Sequence, residues 1–351
     1  MASNIVGIDI GSATIRAVEV AAGPRGTTSI VRFAEVEVPE GATSRGEVLE
    51  PNTVAGSLKK LWSIGRFRAK DVALGVGNQR VLSRDLTVPK APIARIRESL
   101  QFQVQDLLPV PVGDAILDFY PISESAEEGG PVVHGLLVAA IKDAVLANVR
   151  AVQLAGLNPI GVDLIPFALS RVFVPPSRSA GCTALVELGA NTTTVVVTVD
   201  GVPHFVRIIP TGGGDLTKQI AARLEVPLEQ AELVKCYIGM GDRARTPYDM
   251  RAAAVIREAG HELISSVRNT LNYFVNTKGG GQPIDRVLLA GGARELPGFR
   301  DALAESTGIL ITDGDAFAEA QLARSIDPSV IADRAPAMAV AWSLAAGGRA
   351  A

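Results

Sequence analysis

"NIVGIDIGSATIRAVEV", residues Asn4 to Val20, places one carboxylate, Asp9, within an apolar run and follows it at once with Gly-Ser. A charged side chain in a buried strand is costly unless it is paired or holds a metal ion. Asp, Gly and Ser are also ordinary turn residues, so Asp9 could simply begin a hairpin. This stretch alone leaves both interpretations open, and the rest of the chain has to decide between them.

The composition of the 351 residues is that of a folded protein, since 47% are hydrophobic and 20% are charged. This is enough apolar material for two cores. The net charge of -3 does not suit general binding to nucleic acid, so no nucleic-acid partner is expected. No apolar run approaches about 18 residues and no basic segment opens the chain, which argues against export and membrane spanning. We therefore expect a cytoplasmic protein.

The cysteine and histidine residues do not indicate a metal centre. Cys182 and Cys236 form neither a CxxC motif nor a disulfide-framework pattern. The three histidines, His134, His204 and His261, are scattered and lack the spacing of zinc ligands. A zinc site is therefore not expected.

The periodicity of apolar residues predicts alternating strands and helices. Strands are expected at 5–10, 14–21, 29–38, 71–77, 81–88, 115–122, 132–140 and 159–164, and helices at 53–64, 93–107, 143–155 and 252–277. The segment 174–181 is rich in Pro, Ser and Gly and has no periodicity. We interpret it as a linker between two halves of the chain.

The opening pattern recurs after the linker, in "TALVELGANTTTVVVTVDG", residues 183–201. Both stretches consist of an apolar strand, an acid, an apolar residue, Gly, a short polar turn and a β-branched strand, which indicates an internal repeat. Two such halves would place Asp9 and Glu187 on facing hairpins across a cleft. Glycine turns expose backbone N–H groups suited to phosphate oxygens, and carboxylates suit hydrated Mg²⁺. The repeat therefore favours the ligand interpretation of Asp9.

Two further glycine-rich segments fit a phosphate-binding cleft. "TGGGDLTKQIA", residues 211–221, is a triple-glycine loop that opens a helix, a geometry suited to anions. The alternative for this loop is a plain helix N-cap with Asp215 in the first turn. "DRVLLAGGARELPGF", residues 285–299, is a buried strand that ends in two glycines, where a flat ring could lie against the backbone. Its alternative is an ordinary connection from strand to helix.

This ordered set of motifs resembles the actin-like ATPase superfamily and, within it, the PilM family of type IV pilus assembly proteins, which is related to FtsA. Three further segments follow the order of the PilM family: "PVPVGDAILDFYPI", "GLNPIGVDLIPFAL" and "QAELVKCYIG". No motif is specific by itself, whereas the ordered set is, and the resemblance covers nearly the whole chain.

The resemblance implies an α/β protein with the actin-like ATPase fold: two RNase-H-like lobes around a nucleotide cleft, with an extra subdomain inserted in the first lobe. The first lobe would comprise residues 1–71 and 146–176, the inserted subdomain residues 72–145, and the second lobe residues 177–351. The implied ligands are ATP and Mg²⁺, bound between the lobes.

The resemblance also implies which residues bind the nucleotide. Asp9 and Glu187 would hold Mg²⁺ through water. Glu232 and Lys235 would contact the ribose, although an ion pair on a solvated helix is the alternative for these two residues. The implied nucleotide-binding residues are Asp9, Gly11, Ser12, Ala13, Thr14, Gly189, Asn191, Thr192, Gly212, Gly213, Gly214, Glu232, Lys235, Gly291, Gly292 and Ala293.

The chain departs from the family pattern at the second turn, where the family has Asp and this sequence has Glu187. The longer side chain can still reach a Mg²⁺-bound water, but the octahedral geometry of Mg²⁺ is strict. We therefore expect ATP binding with weak or absent hydrolysis. The sequence assigns no catalytic residue.

The resemblance implies a protein partner at the inserted subdomain, the N-terminal cytoplasmic peptide of a PilN-like inner-membrane protein. The apolar residues expected to line its groove are Leu82, Leu86, Val88, Phe102 and Leu107. The protein would then lie at the inner face of the cell membrane through its partner alone, and self-association is left open. ATP would fix the angle between the lobes and so alter the peptide surface.

Two other functions fit the same superfamily. A sugar or acetate-type kinase needs a base beside the substrate hydroxyl, for which Asp163 is the candidate, although its context favours a structural role. An FtsA-like cell-division protein typically ends in an amphipathic membrane-targeting helix. The final segment "APAMAVAWSLAAGGRAA" instead predicts a core helix followed by a glycine-rich tail.

Overall fold

The computed structural model describes residues 4–23, 27–177, 179–241, 243–278, 282–318, 320–324 and 326–348. The strands are β1 (Ile5–Ile10), β2 (Thr14–Ala22), β3 (Thr28–Glu37), β4 (Thr43–Ser44), β5 (Glu47–Val48), β6 (Asp71–Val76), β7 (Val81–Pro89), β8 (Ala115–Glu127), β9 (Gly130–Ile141), β10 (Asn158–Leu164), β11 (Cys182–Leu188), β12 (Thr193–Val199), β13 (Val202–Ile209), β14 (Arg286–Ala290), β15 (Leu310–Asp313) and β16 (Gln321–Leu322). The helices are α1 (Pro51–Gly65), α2 (Ile93–Gln103), α3 (Lys142–Leu154), α4 (Ile165–Phe173), α5 (Gly213–Leu224), α6 (Leu228–Ile238), α7 (Pro247–Tyr273), α8 (Phe299–Thr307) and α9 (Pro328–Gly347).

A six-stranded sheet forms the first lobe, in the order β10-β6-β1-β2-β3-β16. β1 and β2 are antiparallel with Asp9 opposite Arg16, whereas β6 runs parallel to β1 and β10 runs parallel to β6. The aliphatic residues of β1 are buried on both faces, because α1 and α3 cover one face and α9 covers the other. Gly7 permits the close approach of α9, since a Cβ there would lie 2.0 Å from the carbonyl oxygen of Ala341.

A five-stranded sheet forms the second lobe, in the order β13-β12-β11-β14-β15. β11 and β12 are antiparallel with Glu187 opposite Thr194, so the second lobe repeats the hairpin of the first. Every residue of β11 is buried, which accounts for its mostly apolar sequence. Helices α5, α7 and α8 pack on the outer face of this sheet, and their core residues include Ile256, Val267 and Phe299.

Helices α4 and α9 lie between the two sheets and share one core with both. Trp342 of α9 belongs to the same buried cluster as Val18 of the first sheet and Leu288 of the second. β16 also pairs with β3 of the first sheet. The chain therefore returns to the first lobe after β15, and the predicted assignment of residues 177–351 to the second lobe alone is wrong. A local sequence pattern does not reveal which sheet a helix covers.

The inserted subdomain is a three-stranded antiparallel sheet, in the order β7-β9-β8, with α2 packed against it. Leu100, Phe119 and Leu137 are among its core residues. The predicted limits at residues 72 and 145 are displaced, because β6 belongs to the six-stranded sheet and α3 packs on the first-lobe core. The subdomain runs from β7 to β9.

The predicted elements of the first half and the long helix of the second half are found, with shifted ends. The helix expected at 93–107 ends at Gln103, where the backbone leaves helical geometry and a 3₁₀ turn follows. The helix expected at 252–277 begins at Pro247, because Thr246 and Asp249 form a capping box there. The strand expected at 115–122 continues through the rest of β8, since its ladder with β9 extends to a tight turn. Within the described ranges, no helix is both long and apolar enough to cross a membrane.

Candidate functional site

Two matched hairpin turns, one in each lobe, face the space between the lobes. In the first turn the N–H of Gly11 donates to the Thr14 carbonyl oxygen at 3.0 Å, and in the second the N–H of Gly189 donates to the Thr192 carbonyl oxygen at 2.9 Å. A Cβ at Gly11 would lie 2.8 Å from the Thr14 oxygen, and one at Gly189 would lie 3.0 Å from the Thr192 oxygen. The tight turn therefore favours glycine at both positions, most strongly at Gly11.

The turns leave backbone donors unused. Among the described residues, the N–H groups of Ser12 and Ala13 in the first turn, and of Ala190 and Asn191 in the second, have no protein acceptor. Unpaired N–H groups in a glycine turn attract anions, phosphate oxygens in particular. The two turns thus offer equivalent anion sites on opposite sides of one cleft.

The cleft is a cavity of about 720 Å³. Helix α9 contributes part of its wall through Pro336 and Val340. The sequence-predicted residues that line the cavity are Asp9, Gly11, Ser12, Ala13, Thr14, Glu187, Gly189, Asn191, Thr192, Gly213, Gly214, Glu232, Lys235 and Gly292. The structure therefore brings together residues that are up to about 280 positions apart in the chain.

Three predicted residues, Gly212, Gly291 and Ala293, are not among the described residues that line the cavity. A Cβ at Gly212 would lie 2.4 Å from the Gly189 carbonyl oxygen, so this glycine lets its loop pack against the second turn. Gly291 has a positive φ of 85°, and a Cβ there would lie 2.3 Å from the carbonyl oxygen of Leu188. Ala293 lies in the short 3₁₀ turn Gly292–Glu295, and its side chain lies outside the described part of the chain.

Glu187 is buried in the cavity and the Asp9 side chain is only 16% exposed. Arg16 lies beside Asp9, with Nη1 at 3.9 Å from Oδ2, yet burial still raises the pKa of Asp9 above its ordinary value. Burial, together with the negative charge of Asp9, raises the pKa of Glu187 to about 8, and Arg16 opposes this rise. Two largely desolvated carboxylates with one nearby arginine form a site that a divalent cation would neutralise.

The triple-glycine loop braces the second turn. The N–H of Gly213 donates to the Gly189 carbonyl oxygen at 2.9 Å, and the N–H of Gly214 donates to the Ala190 carbonyl oxygen at 2.7 Å. The N–H of Gly212 donates to Asp215 Oδ2 at 3.1 Å, and the N–H of Asp215 donates to the Gly212 carbonyl oxygen at 3.1 Å. These donors are therefore already satisfied, and the alternative of a helix N-cap with Asp215 in the first turn describes the loop better than a free anion site.

Lys235 is buried and Glu232 is half-exposed, so the alternative of an ion pair on a solvated helix does not hold for Lys235. Lys235 is 7% exposed, and its Nζ donates to the Gly213 carbonyl oxygen at 3.0 Å, to Thr217 Oγ1 at 2.9 Å and to Glu232 Oε2 at 2.7 Å. Burial raises the pKa of Glu232, but hydrogen bonds from Lys235 and Thr217 outweigh burial and hold it below its ordinary value. Glu232 thus presents an ionised, half-exposed carboxylate to the cavity.

Sequence reasoning missed a short hairpin, residues 43–48, at the cavity wall. Arg45 and Gly46 line the cavity, and both have positive φ, 50° and 79°, as in a two-residue hairpin turn. Arg16 and Asn78 also line the cavity and were missed. The Ser-Arg-Gly-Glu sequence between Thr43 and Val48 is the local signal that could have revealed the turn, whereas its position at the cavity depends on distant contacts.

The candidate kinase base lies elsewhere. Asp163 pairs with Arg171 of α4, and the described residues that line the cavity do not include it. This placement supports the structural role that the sequence around Asp163 favoured.

The predicted partner groove is only partly accessible, because Val88 is 1% exposed in the subdomain core while Phe102 is 73% exposed.

Comparison with known proteins decides the family. A sequence model of the type IV pilus assembly protein PilM matches residues 7–348. This chain belongs to the PilM family. A chain of the solved PilM-PilN type IV pilus biogenesis complex shows the same relationship in three dimensions: it is 26% identical, with a TM-score of 0.85 and 98% of each chain covered.

More distant similarities link this PilM-family chain to a cell division protein by sequence and to two further proteins by fold. Cell division protein FtsA of Bacillus subtilis is 23% identical over 259 residues, which is 67% of this chain and 58% of the FtsA chain. This chain therefore spans less than two thirds of the length of that curated relative. EutJ of Carboxydothermus hydrogenoformans (15% identical, 99% and 90% of the two chains covered) and ADP-bound MreB5 of Spiroplasma citri (10%, 90% and 92%) share the fold, each with a TM-score of 0.55. The predicted actin-like fold with two lobes is thereby confirmed.

Proposed function

We propose that this PilM-family protein binds Mg²⁺–ATP in the cavity between its lobes. The observation that carries the proposal is the pair of matched glycine turns, which present free N–H groups and the Asp9 and Glu187 carboxylates to one cavity. The cavity volume of about 720 Å³ suits a ligand of nucleotide size. The ADP bound to MreB5, which shares the fold, agrees with this class of ligand.

The chemistry of the cavity fits this ligand. The free N–H groups of the two turns would receive the phosphate oxygens, and Asp9 and Glu187 would hold Mg²⁺ through its waters. When bound, the metal ion neutralises the phosphate charge. Glu232 would accept a hydrogen bond from the ribose, with Lys235 holding it in place. Gly292, where a Cβ would have no neighbour within 4 Å, leaves open space for the base.

Hydrolysis of the bound ATP would be weak or absent. Glu187 stands where the family has aspartate, and its carboxylate is displaced by one methylene from the aspartate position. Its pKa of about 8, raised by burial and by Asp9, also means that the carboxyl holds a proton near neutral pH when no metal is present. The displaced carboxylate fits the octahedral geometry of Mg²⁺ less well, and the proton competes with Mg²⁺ for the carboxylate. The nucleotide would then serve to hold the lobes together.

We further propose that the protein binds the N-terminal cytoplasmic peptide of a PilN-like membrane protein on the inserted subdomain. The similar chain in the PilM-PilN complex supports this partner class, and Phe102 offers an exposed apolar side chain on α2 for the contact. The protein would act in type IV pilus assembly at the inner face of the cell membrane, which it would reach through this partner.

Calorimetry with Mg²⁺–ATP tests the central proposal. Wild type should bind, and Asp9→Asn should lose at least about tenfold in affinity, because it removes a charged ligand to the hydrated metal. Asp163→Asn is the matched control, since it makes the same chemical change in a carboxylate outside the cavity lining, and it should bind as wild type does. A folded wild type that binds no Mg²⁺–ATP would overturn the proposal.

A further inference from the structure

The 43–48 hairpin contacts three parts of the molecule. It consists of β4, the turn residues Arg45 and Gly46, and β5. Its first contact is with the phosphate-facing turn of the first lobe. The hydroxyl of Thr43 donates towards the carbonyl oxygens of Gly11 and Ser12, at 3.1 and 3.0 Å, and Thr43 is 7% exposed. This contact therefore fixes the hairpin to the first turn.

The tip of the hairpin reaches across the cleft to the second lobe. Arg45 Nη1 donates to the carbonyl oxygen of Pro210 at 3.0 Å, and Nη2 lies 3.8 Å from Asp215 Oδ1. The same Asp215 oxygen accepts a hydrogen bond from Asn191 Nδ2 at 3.1 Å, and Asn191 belongs to the second phosphate-facing turn. A single arginine of the first lobe thus contacts the elements that support the second turn.

The other side of the hairpin holds the base of the inserted subdomain. Glu47 Oε1 accepts a hydrogen bond from Arg80 Nε at 2.8 Å, and Asn78 Nδ2 lies 3.5 Å from the Gly46 carbonyl oxygen. Arg80 lies in the connection that leads into β7, and its carbonyl oxygen accepts a hydrogen bond from the N–H of Ile141, the last residue of β9, at 3.1 Å. Both points at which the chain passes between first lobe and subdomain therefore meet at Arg80.

The charges at the tip make this contact sensitive to the cavity. The Arg45 side chain is 41% exposed and lines the cavity, and an ion pair of 3.8 Å at such exposure is weak. A polyphosphate in the cavity adds several negative charges close to the guanidinium, which would compete with Asp215 for it. Because Arg45 and Gly46 form the turn, a displacement of the Arg45 backbone would also move Glu47 and the Gly46 carbonyl group.

We propose that the 43–48 hairpin couples occupancy of the cavity to the base of the inserted subdomain, through Arg45 on the cavity side and Glu47 on the subdomain side. This inference rests on the proposed binding of Mg²⁺–ATP and names the residues that would transmit it. The bound nucleotide draws Arg45 inward, and the Glu47–Arg80 and Asn78–Gly46 contacts tighten where the subdomain joins the first lobe.

Hydrogen exchange at two amides tests the proposal. The N–H of Val81 donates to the Asn78 carbonyl oxygen and that of Ile141 to the Arg80 carbonyl oxygen, both at 3.1 Å, so both report on the base of the subdomain. Saturating Mg²⁺–ATP should slow exchange at both amides of wild type by about threefold or more. Arg45→Ala and Glu47→Gln should abolish this slowing at ATP concentrations that saturate each variant.

Glu124→Gln provides the matched control. Glu124 forms an exposed ion pair with Lys90 in the same subdomain, away from the hairpin, so this variant should retain the full slowing. Without nucleotide, Glu47→Gln should already exchange faster than wild type at Ile141, because its contact with Arg80 is weakened. Retention of the ATP effect in Arg45→Ala, or its loss in Glu124→Gln, would overturn the coupling role.

Calorimetry on the same samples separates the two proposals. Wild type that binds Mg²⁺–ATP without any change in exchange at Val81 and Ile141 overturns the coupling role and leaves nucleotide binding intact. Wild type that is folded and binds no Mg²⁺–ATP overturns nucleotide binding, and the coupling role falls with it.

Discussion

Arg16 and Thr194 occupy the same position in the two hairpins: Arg16 stands opposite Asp9 and Thr194 stands opposite Glu187. The first carboxylate therefore has a cationic neighbour across the strand, whereas the second has a neutral one. Arg16 also pairs with Glu35 at 3.2 Å, so its charge is shared. Glu187 is therefore less well compensated by positive charge than Asp9 is.

We expect Glu187→Gln to stabilise the ligand-free protein more as the pH rises. Folding raises the pKa of this carboxyl from 4.5 to about 8, so the folded state retains a proton that the unfolded state releases. Wild type is therefore at its most stable, with respect to this group, below pH 4.5 and loses that stability as the pH rises to about 8. The variant should exceed wild type by on the order of 2 kcal/mol at about pH 8 and match it near pH 5.

Urea unfolding at the two pH values, without Mg²⁺ or nucleotide, measures this difference. Glu258→Gln is the control, because the hydrogen bond from Arg223 holds the pKa of the exposed Glu258 below its ordinary value. Replacing the Glu258 carboxylate should therefore give no gain in the free energy of unfolding as the pH rises. If Glu187→Gln raised the free energy of unfolding equally at both pH values, the raised pKa of Glu187 would be contradicted.

We expect Glu187→Asp to increase ATP turnover. The substitution restores the acid found at this turn in the family and shortens the side chain by one methylene. If the length of the carboxylate limits hydrolysis, phosphate release should rise by about tenfold while the affinity for Mg²⁺–ATP changes by less than about threefold. Phosphate release and calorimetry on the same samples measure both quantities. Unchanged or slower release would show that residue 187 does not limit the reaction.

Alanine at either turn glycine should weaken both the fold and the ligand site. The added Cβ would approach the Thr14 oxygen in Gly11→Ala and the Thr192 oxygen in Gly189→Ala, and neither backbone atom can move without opening its turn. We expect a loss of roughly 1–3 kcal/mol in the free energy of unfolding. Gly161→Ala, where the Cβ meets nothing within 4 Å, should cost much less. Urea unfolding compares the three variants, and equal costs would refute the steric argument.

Lys235→Met should destabilise the second lobe. The substitution removes the partner of three acceptors in a buried network, namely the Gly213 carbonyl oxygen, Thr217 and Glu232. An unsatisfied buried group of this kind costs roughly 2–4 kcal/mol. Lys218→Met, on the exposed face of α5, is the matched control and should be nearly neutral. Thermal unfolding measures both, and a control that falls as far as Lys235→Met would contradict the network.

The two hairpins and their acids could be predicted from sequence, because each is a local pattern of strand, acid, glycine turn and strand. The burial of Lys235 could not, since a spacing of three residues from Glu232 is the same for a solvated pair and a buried one. What distinguishes the two is the Gly213 carbonyl oxygen, which comes from another helix.

The role of Arg45 was also beyond local reasoning. Its partners Pro210 and Asp215 lie about 165 positions further along the chain, and they meet it only when both lobes are assembled. The limits of the inserted subdomain were misplaced for a similar reason. The sequence of β6 predicts a strand, but it does not show whether that strand pairs within the insertion or within the first sheet. A local sequence pattern can predict a strand, but it contains little information on which strand pairs with it.

Helix α9 packs on the first sheet and β16 pairs with it, although both lie near the end of the described chain. This arrangement affects how the chain folds as it is synthesised. The inner face of β1 and β2 stays uncovered until Pro328–Gly347 has emerged from the ribosome, because that segment supplies its packing. The second sheet and its outer helices lie within residues 182–313 and can form earlier. We therefore expect the first half of the chain to be the last to mature and the part most dependent on chaperones.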